Sequence, residues 1–273
     1  MPGRGLRVWL ERVRECHHPA VLASAVRNIF RRRRLLTFAT GLSAAALSAH
    51  VREIESDETF VLEIRERLAA WTSYEPRAVD FMMAGEGGSV FFNEVTLYAL
   101  VRGMRPSIVV ETGGTPGKST AFILRAMERN GVGHLSTIDV PPPPAPEAGR
   151  IPRARYHDLL PAGAASNWIV PESLRARHTL LLGRSRDRLP ALLAGLDRVD
   201  IFLHDSDHSY ENMMWEFEAA WPKVRDGGLL VSDDVLANTA FVDFCRNESL
   251  EHERVFNLGI ARRTQMRRAR GSG

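Results

Sequence analysis

The side chains best suited to chemistry in this 273-residue chain stand in short polar runs after apolar ones. Asp205, Asp207 and His208 lie in the run from His204 to Tyr210, and Asp233-Asp234 closes Leu229-Leu230-Val231-Ser232. Near neutral pH imidazole is the side chain best placed to take a proton from a hydroxyl. His208 is the favoured general base because its competitor, His204, ends a buried apolar run. If Asp205, Asp233 and Asp234 converge, their carboxylates repel unless protonated or bridged by a hard divalent cation. The competing reading is that Asp233 and Asp234 only cap the next helix.

A second stretch, Ser107 to Ser119, reads Ser-Ile-Val-Val-Glu-Thr-Gly-Gly-Thr-Pro-Gly-Lys-Ser. Its short β-branched run suits a strand buried on both faces of a parallel sheet. The glycines after it let backbone approach a nucleotide without a Cβ in the way. A Walker phosphate loop needs a glycine at position 112, where Thr112 stands. The dinucleotide fingerprint fails too, because Thr115 stands where its second glycine belongs. The pattern that fits is Glu111-x-Gly113-x-x-x-Gly117-x-Ser119.

Alternating elements must position these groups. Strands are expected at Ile108–Val110, His134–Val140, His178–Leu182, Val199–Leu203 and Leu229–Ser232, with a last strand pair within Arg254–Arg263. Helices are expected between them. Met214, Phe217 and Trp221 share a face of the helix after the fourth strand, and Asp226-Gly227-Gly228 is read as the turn into the fifth. This spacing predicts a doubly wound, mostly parallel sheet, in which ligands bind at the carboxyl ends of the strands beside the switch point. Asp139 ends the second strand, where an acid suits the two hydroxyls of a ribose, although a helix-capping role is the alternative. Ser185 follows the third. The long Pro- and Ala-rich segment from Pro141 to about Glu172 reads as a lid over the substrate.

The N-terminal part is expected to be helical. Ser56-Asp57-Glu58 caps a helix whose buried stripe is Phe60, Ile64, Leu68 and Trp71. Gly85 to Gly88 breaks the chain before an amphipathic helix through Phe91, Val95 and Tyr98. The expected division is a helical extension over 1–85, a catalytic domain over 86–263 and a basic flexible tail over 264–273.

The net charge of +3 hides an uneven distribution. Residues 1–36 carry nine Arg against two Glu, and residues 261–273 carry five Arg and no acid. The body between them is therefore acidic, which argues against a nucleic-acid face over the fold itself. Arg31 to Arg34 could still meet RNA, an anionic membrane or an acidic partner, or simply end a solvated basic helix. Two distant cysteines, Cys16 and Cys245, suggest no disulfide or metal framework. Leu35 to Ala49 is too short and too rich in Ala, Ser and Thr to span a membrane. The expectation is a soluble, cytoplasmic protein, with the N-terminal helices as a candidate homo-oligomer contact.

Taken together, Glu111 to Thr120, His134 to Asp139, Gly183-x-Ser185-x-x-x-Leu189-Pro190, His204 to Tyr210 and Gly227-Gly228 to Val235 resemble the class I methyltransferases of the family 24 type. That group is similar to macrolide-sugar and cation-dependent O-methyltransferases. The resemblance covers roughly residues 85–263. It implies S-adenosylmethionine held by Glu111, Gly113, Gly117 and Ser119, with Asp139 on the ribose and Ser185 near the adenine or amino-acid end. It also implies Mg²⁺ at Asp205, Asp233 and Asp234, where this chain has Asp-Asp in place of the frequent Asp-Asn. His208 matches the proposed base. The missing Asn/Asp-Pro-Pro-Tyr signature tilts the acceptor toward the oxygen of a small molecule, a sugar or natural product. The alternative is a non-catalytic S-adenosylmethionine- or nucleotide-binding protein, or an RNA-associated protein using its arginine-rich ends.

Overall fold

The computed structural model describes residues 19–71, 91–141 and 165–264. The first residues, the Gly85–Gly88 break, most of the expected lid and the basic tail lie outside them, as do the side chains of 19–26 and 69–71.

Seven strands form one sheet: β1 (Ile108–Thr112), β2 (His134–Asp139), β3 (His178–Leu182), β4 (Val199–His204), β5 (Val224–Ser232), β6 (His252–Val255) and β7 (Leu258–Arg262). Their order is β3-β2-β1-β4-β5-β7-β6. The first five run parallel, and β7 pairs antiparallel with both β5 and β6. The order reverses between β1 and β4, so the switch point faces the carboxyl ends of those strands. The parallel centre is apolar because helices cover both faces.

On one face lie α1 (Pro19–Thr40), α2 (Ala44–Glu55), α3 (Glu58–Trp71), α4 (Phe92–Met104) and α5 (Lys118–Asn130), with a 3₁₀ turn at Glu172–Arg177. The other face is covered by α6 (Ser185–Ala194), α7 (Tyr210–Ala220) and α8 (Ala240–Asn247). The expected stripe of α3 holds, with Phe60, Ile64 and Leu68 buried. These residues share one core with Phe91, Phe122 and Ile260, so α1–α3 pack against the sheet-bearing part rather than beside it. Ser43 caps α2 by accepting the Ala46 N–H at 3.3 Å. Gly131, at φ 70°, ends α5 in the left-handed conformation expected of Asn130-Gly131.

Four local expectations change. Asp226-Gly227-Gly228 lies inside β5 as an irregularity: the register against β4 jumps between Val199↔Val224 and Ile201↔Leu229, with Gly227 at φ 75°. The strand therefore starts at Val224. On α7 the fully buried methionine is Met213, one position from the half-buried Met214. The end of the expected lid is core, because Asn167, Ile169 and Val170 are fully buried. Within the Arg31–Arg34 run, Arg32 is buried over the Phe92 ring, 4.9 Å from its centroid. Helical period explains this, since Asn28, Arg32, Leu35, Leu36 and Ala39 share the inward face of α1.

Candidate active site

The glycine loop is stitched to both neighbouring strands. Gly113 N–H donates to the Ile138 carbonyl and Asp205 N–H to the Thr112 carbonyl, each at 2.8 Å. Gly113 has φ 77°, and a Cβ there would lie 1.9 Å from the Asp205 carbonyl oxygen. The glycine is thus required for β1 to pass close against the β4 loop. A Cβ on Gly117, at φ 109°, would meet Val170 Cγ2 at 3.0 Å and Asn167 Cα at 3.1 Å.

Glu111 faces inward. It is fully buried, and its carboxylate accepts the hydroxyls of Ser119 (2.6 Å), Thr120 (2.7 Å) and Thr137 (2.8 Å). Burial pushes its pKa up and outweighs those three hydrogen bonds. Glu111 and Ser119, expected at the cofactor, bond each other and anchor the loop to α5 and β2. Asp139 sits at the end of β2 as expected, accepting the Thr115 hydroxyl at 2.5 Å and the Val140 N–H at 2.9 Å. Ser185, at the start of α6, lies near Glu216 and helps lower its pKa.

Asn167, at φ 59°, packs against Gly114 and Gly117 and accepts from Thr120 at 3.2 Å. Its Nδ2 and the neighbouring Trp168 Nε1 are buried without a hydrogen-bond partner. The donor set suits an adenosyl ligand: a carboxylate and a hydroxyl (Asp139, Thr115) at the β2 end, the N-terminus of α5 behind the glycines, and unfilled donors beside them.

The acid–histidine cluster assembles next to this loop. His208 Nδ1 lies 3.2 Å from Asp234 Oδ2, and Nε2 lies 3.8 Å from Asp205 Oδ1. Nε2 itself is buried and makes no hydrogen bond. Asn238 Nδ2 holds the His208 carbonyl at 2.8 Å. Asp233 accepts from Asn93 at 3.1 Å, Asn93 also donates to Asn257 at 2.8 Å, and Asn257 donates to Asp234 at 2.8 Å. Lys118 pairs with Glu94 at 3.0 Å. Burial, then Glu111 and Asp234, drives the Asp205 pKa well above the carboxylate range, with Lys118 opposing. Solvent moderates the effect, because 31% of that side chain is exposed. Burial and the charges of Asp205 and Asp234 likewise raise Asp233. Asp207 only orders its own loop, accepting the Ser209 N–H at 3.0 Å.

Among the described residues, no three His, Cys, Asp or Glu side chains are arranged to hold a metal ion. Asp205 and Asp234 turn toward the two nitrogens of His208, and Asp233 toward Asn93. The three acids of the expected cation site lie at one edge, with Asp205 and Asp234 beside His208 and Asp233 bonded by Asn93. His204 is fully buried against Glu216. Sequence reasoning missed Asn93, Glu94, Asn167, Glu216 and Asn257, which come from helix and loop positions with no motif of their own.

Residues 110–235 match a family of methyltransferase domains of the family 24 type. That span runs from within β1 through the loop after β5 and takes in every site residue named above except Asn93, Glu94, Asn238 and Asn257. The chain carries a class I S-adenosylmethionine-dependent methyltransferase domain. The SAH-bound Podospora anserina methyltransferase PaMTH1 shares this domain's fold at a TM-score of 0.50 and 11% identity, over 75% of this chain and 88% of that one. An O-methyltransferase from Bacillus cereus in complex with SAH aligns at a TM-score of 0.48 and 16% identity, over 73% of this chain and 89% of that one. No curated protein matched the sequence. In the methyltransferase domain, Gly113 is where the glycine loop and the His208 loop meet.

Proposed function

We propose that the domain methylates a hydroxyl oxygen of a small-molecule acceptor, a sugar or natural product, with His208 as proton acceptor. The observation that carries this is the unpartnered Nε2 of His208, on a ring whose Nδ1 lies 3.2 Å from Asp234 Oδ2. In the tautomer that carries its proton on Nδ1, the nitrogen facing Asp234, Nε2 keeps its lone pair and can receive a proton. Gly113 brings this loop against the glycine turn, so the base lies beside the adenosyl site. S-adenosylmethionine supplies an electrophilic methyl group, and the acceptor oxygen needs orientation and loss of its proton. Asp139 would hold the ribose hydroxyls, and the loop anchored by Glu111 and Ser119 would shape the amino-acid end. The Asp205 carboxyl, 3.8 Å from Nε2, lies where it can bond the imidazolium that forms.

The reading is tested with S-adenosylmethionine labelled in its methyl group, offered with a panel of phenols and hydroxylated sugars. Label should pass to an acceptor with the wild type and about 10²–10⁴-fold more slowly with His208→Ala. Equal rates for both would remove His208 from the chemistry. Label transfer only to amine acceptors would remove the oxygen assignment.

A further inference from the structure

One buried carboxylate outside the proposed acceptor site gathers the loops that build it. Glu216, on α7, is fully buried. One of its oxygens, Oε2, accepts Thr112 Oγ1 at 2.5 Å from the end of β1 and faces His204 Nδ1 at 2.6 Å from the end of β4. The other, Oε1, accepts Ser206 Oγ at 2.7 Å and Asn212 Nδ2 at 3.2 Å. The Ser185 hydroxyl at the start of α6 lies close enough to help lower the Glu216 pKa. Asn212 tightens the same knot by donating to Ser206 Oγ at 3.1 Å and to the Asp207 carbonyl at 3.0 Å.

The sequence positions matter. Thr112 immediately precedes Gly113, Ser206 follows Asp205 and lies two residues before His208, and Ser185 opens the helix after β3. His204 stands edge-on to His208, with ring centroids 5.5 Å apart. Burying a carboxylate costs stability unless hydrogen bonds fill it, and an apolar side chain would occupy the same volume without that cost. An apolar side chain could not hold hydroxyls and a ring from the ends of β1 and β4 in one fixed relation. Although burial pushes Glu216 up, hydrogen bonds led by His204, then Ser185 and Thr112, bring its pKa below the ordinary value, so it accepts as an anion.

We propose that Glu216 is a positioning residue that fixes the glycine loop and the His208 loop relative to each other and so sets affinity for S-adenosylmethionine. The proposal rests on the methyltransferase reading. Glu216 is fully buried, and it acts through Thr112 on the Gly113 turn and through His204 and Ser206 on the base loop.

Calorimetry with S-adenosylmethionine as the probe tests it on the full chain. Glu216→Gln places an amide donor among side chains that all donate, and should raise the dissociation constant at least tenfold. Thr112→Val removes one arm at nearly constant volume and should raise it severalfold. The double variant Glu216→Gln/Thr112→Val should bind no worse than Glu216→Gln alone, because the Thr112 arm is already gone, whereas independent structural damage would add. If Glu216→Gln does not fold, Thr112→Val alone decides. Binding within twofold of wild type by every folded variant, or fully additive losses, would overturn the proposal. Wild-type protein that does not bind S-adenosylmethionine would remove the function reading and this inference together, a result distinct from either of those.

Discussion

The ring of His208 has a carboxylate near each nitrogen, Asp234 at 3.2 Å and Asp205 at 3.8 Å. The closer carboxylate favours the proton on Nδ1, and the farther one leaves Nε2 without a hydrogen bond, so His208→Ala should lower turnover while leaving cofactor affinity near that of wild type. Asp139 makes the opposite prediction. Its carboxylate is spent on Thr115 and its own loop, and on ligand binding it would exchange toward ribose hydroxyls. Asp139→Ala should therefore weaken S-adenosylmethionine binding by about 1–3 kcal/mol, measured by calorimetry. An unchanged dissociation constant would return Asp139 to a purely local role. Gly113 shows where residue types alone mislead. From the sequence its missing Cβ reads as room for a cofactor, but the atom it makes room for is the Asp205 carbonyl of its own chain. Gly113→Val should accordingly lower the melting temperature as well as abolish binding.

At the scale of elements, period and turn chemistry made most of the fold legible. The alternation of apolar runs and helical stripes located all seven strands, counting the last pair, to within a few residues. Three things stayed hidden for physical reasons. The start of β5 is masked by a glycine pair that bulges the strand instead of ending it. The partners of the acids, Asn93 and Asn257, lie 140 and 23 residues from the carboxylates they hold. The burial of Arg32 depends on Phe92, which no local pattern connects to it. Nothing in the sequence shows how the N-terminal helices pack, and in the fold Ile54 and Leu68 are fully buried in the core that backs β1. Ile54→Ala or Leu68→Ala should cost about 2–5 kcal/mol in denaturant unfolding, and a loss under 1 kcal/mol would make the extension a detachable unit. The edge strand β3 adds a pH dependence. Burial, then the charge of Arg175, lowers the His178 pKa from 6.5 to about 4. A histidine depressed in the fold stabilises it as the neutral form, so its contribution is complete above about pH 6.5 and is lost as pH falls toward 4. His178→Gln, which can still reach Thr137, should flatten the melting temperature over that window.

For the whole molecule, the positive charge at the termini and the acidic body predict little nonspecific nucleic-acid binding by the folded part. No helix among the described residues is long and apolar enough to cross a membrane. The acids at the carboxyl edge are met by His208, Asn93, Asn257 and a nearby Lys118 rather than facing a common point. Turnover should therefore survive EDTA, and a loss restored by added Mg²⁺ would show that Asp205, Asp233 and Asp234 rotate to bind a cation. The central claim is that this sheet edge is an S-adenosylmethionine site, and its most direct test is calorimetric titration of the purified chain with S-adenosylmethionine, ATP and NAD in parallel. Micromolar binding of S-adenosylmethionine alone is expected, about −8 kcal/mol, weakened in Asp139→Ala. Tight binding of ATP or NAD with no heat from S-adenosylmethionine would contradict it.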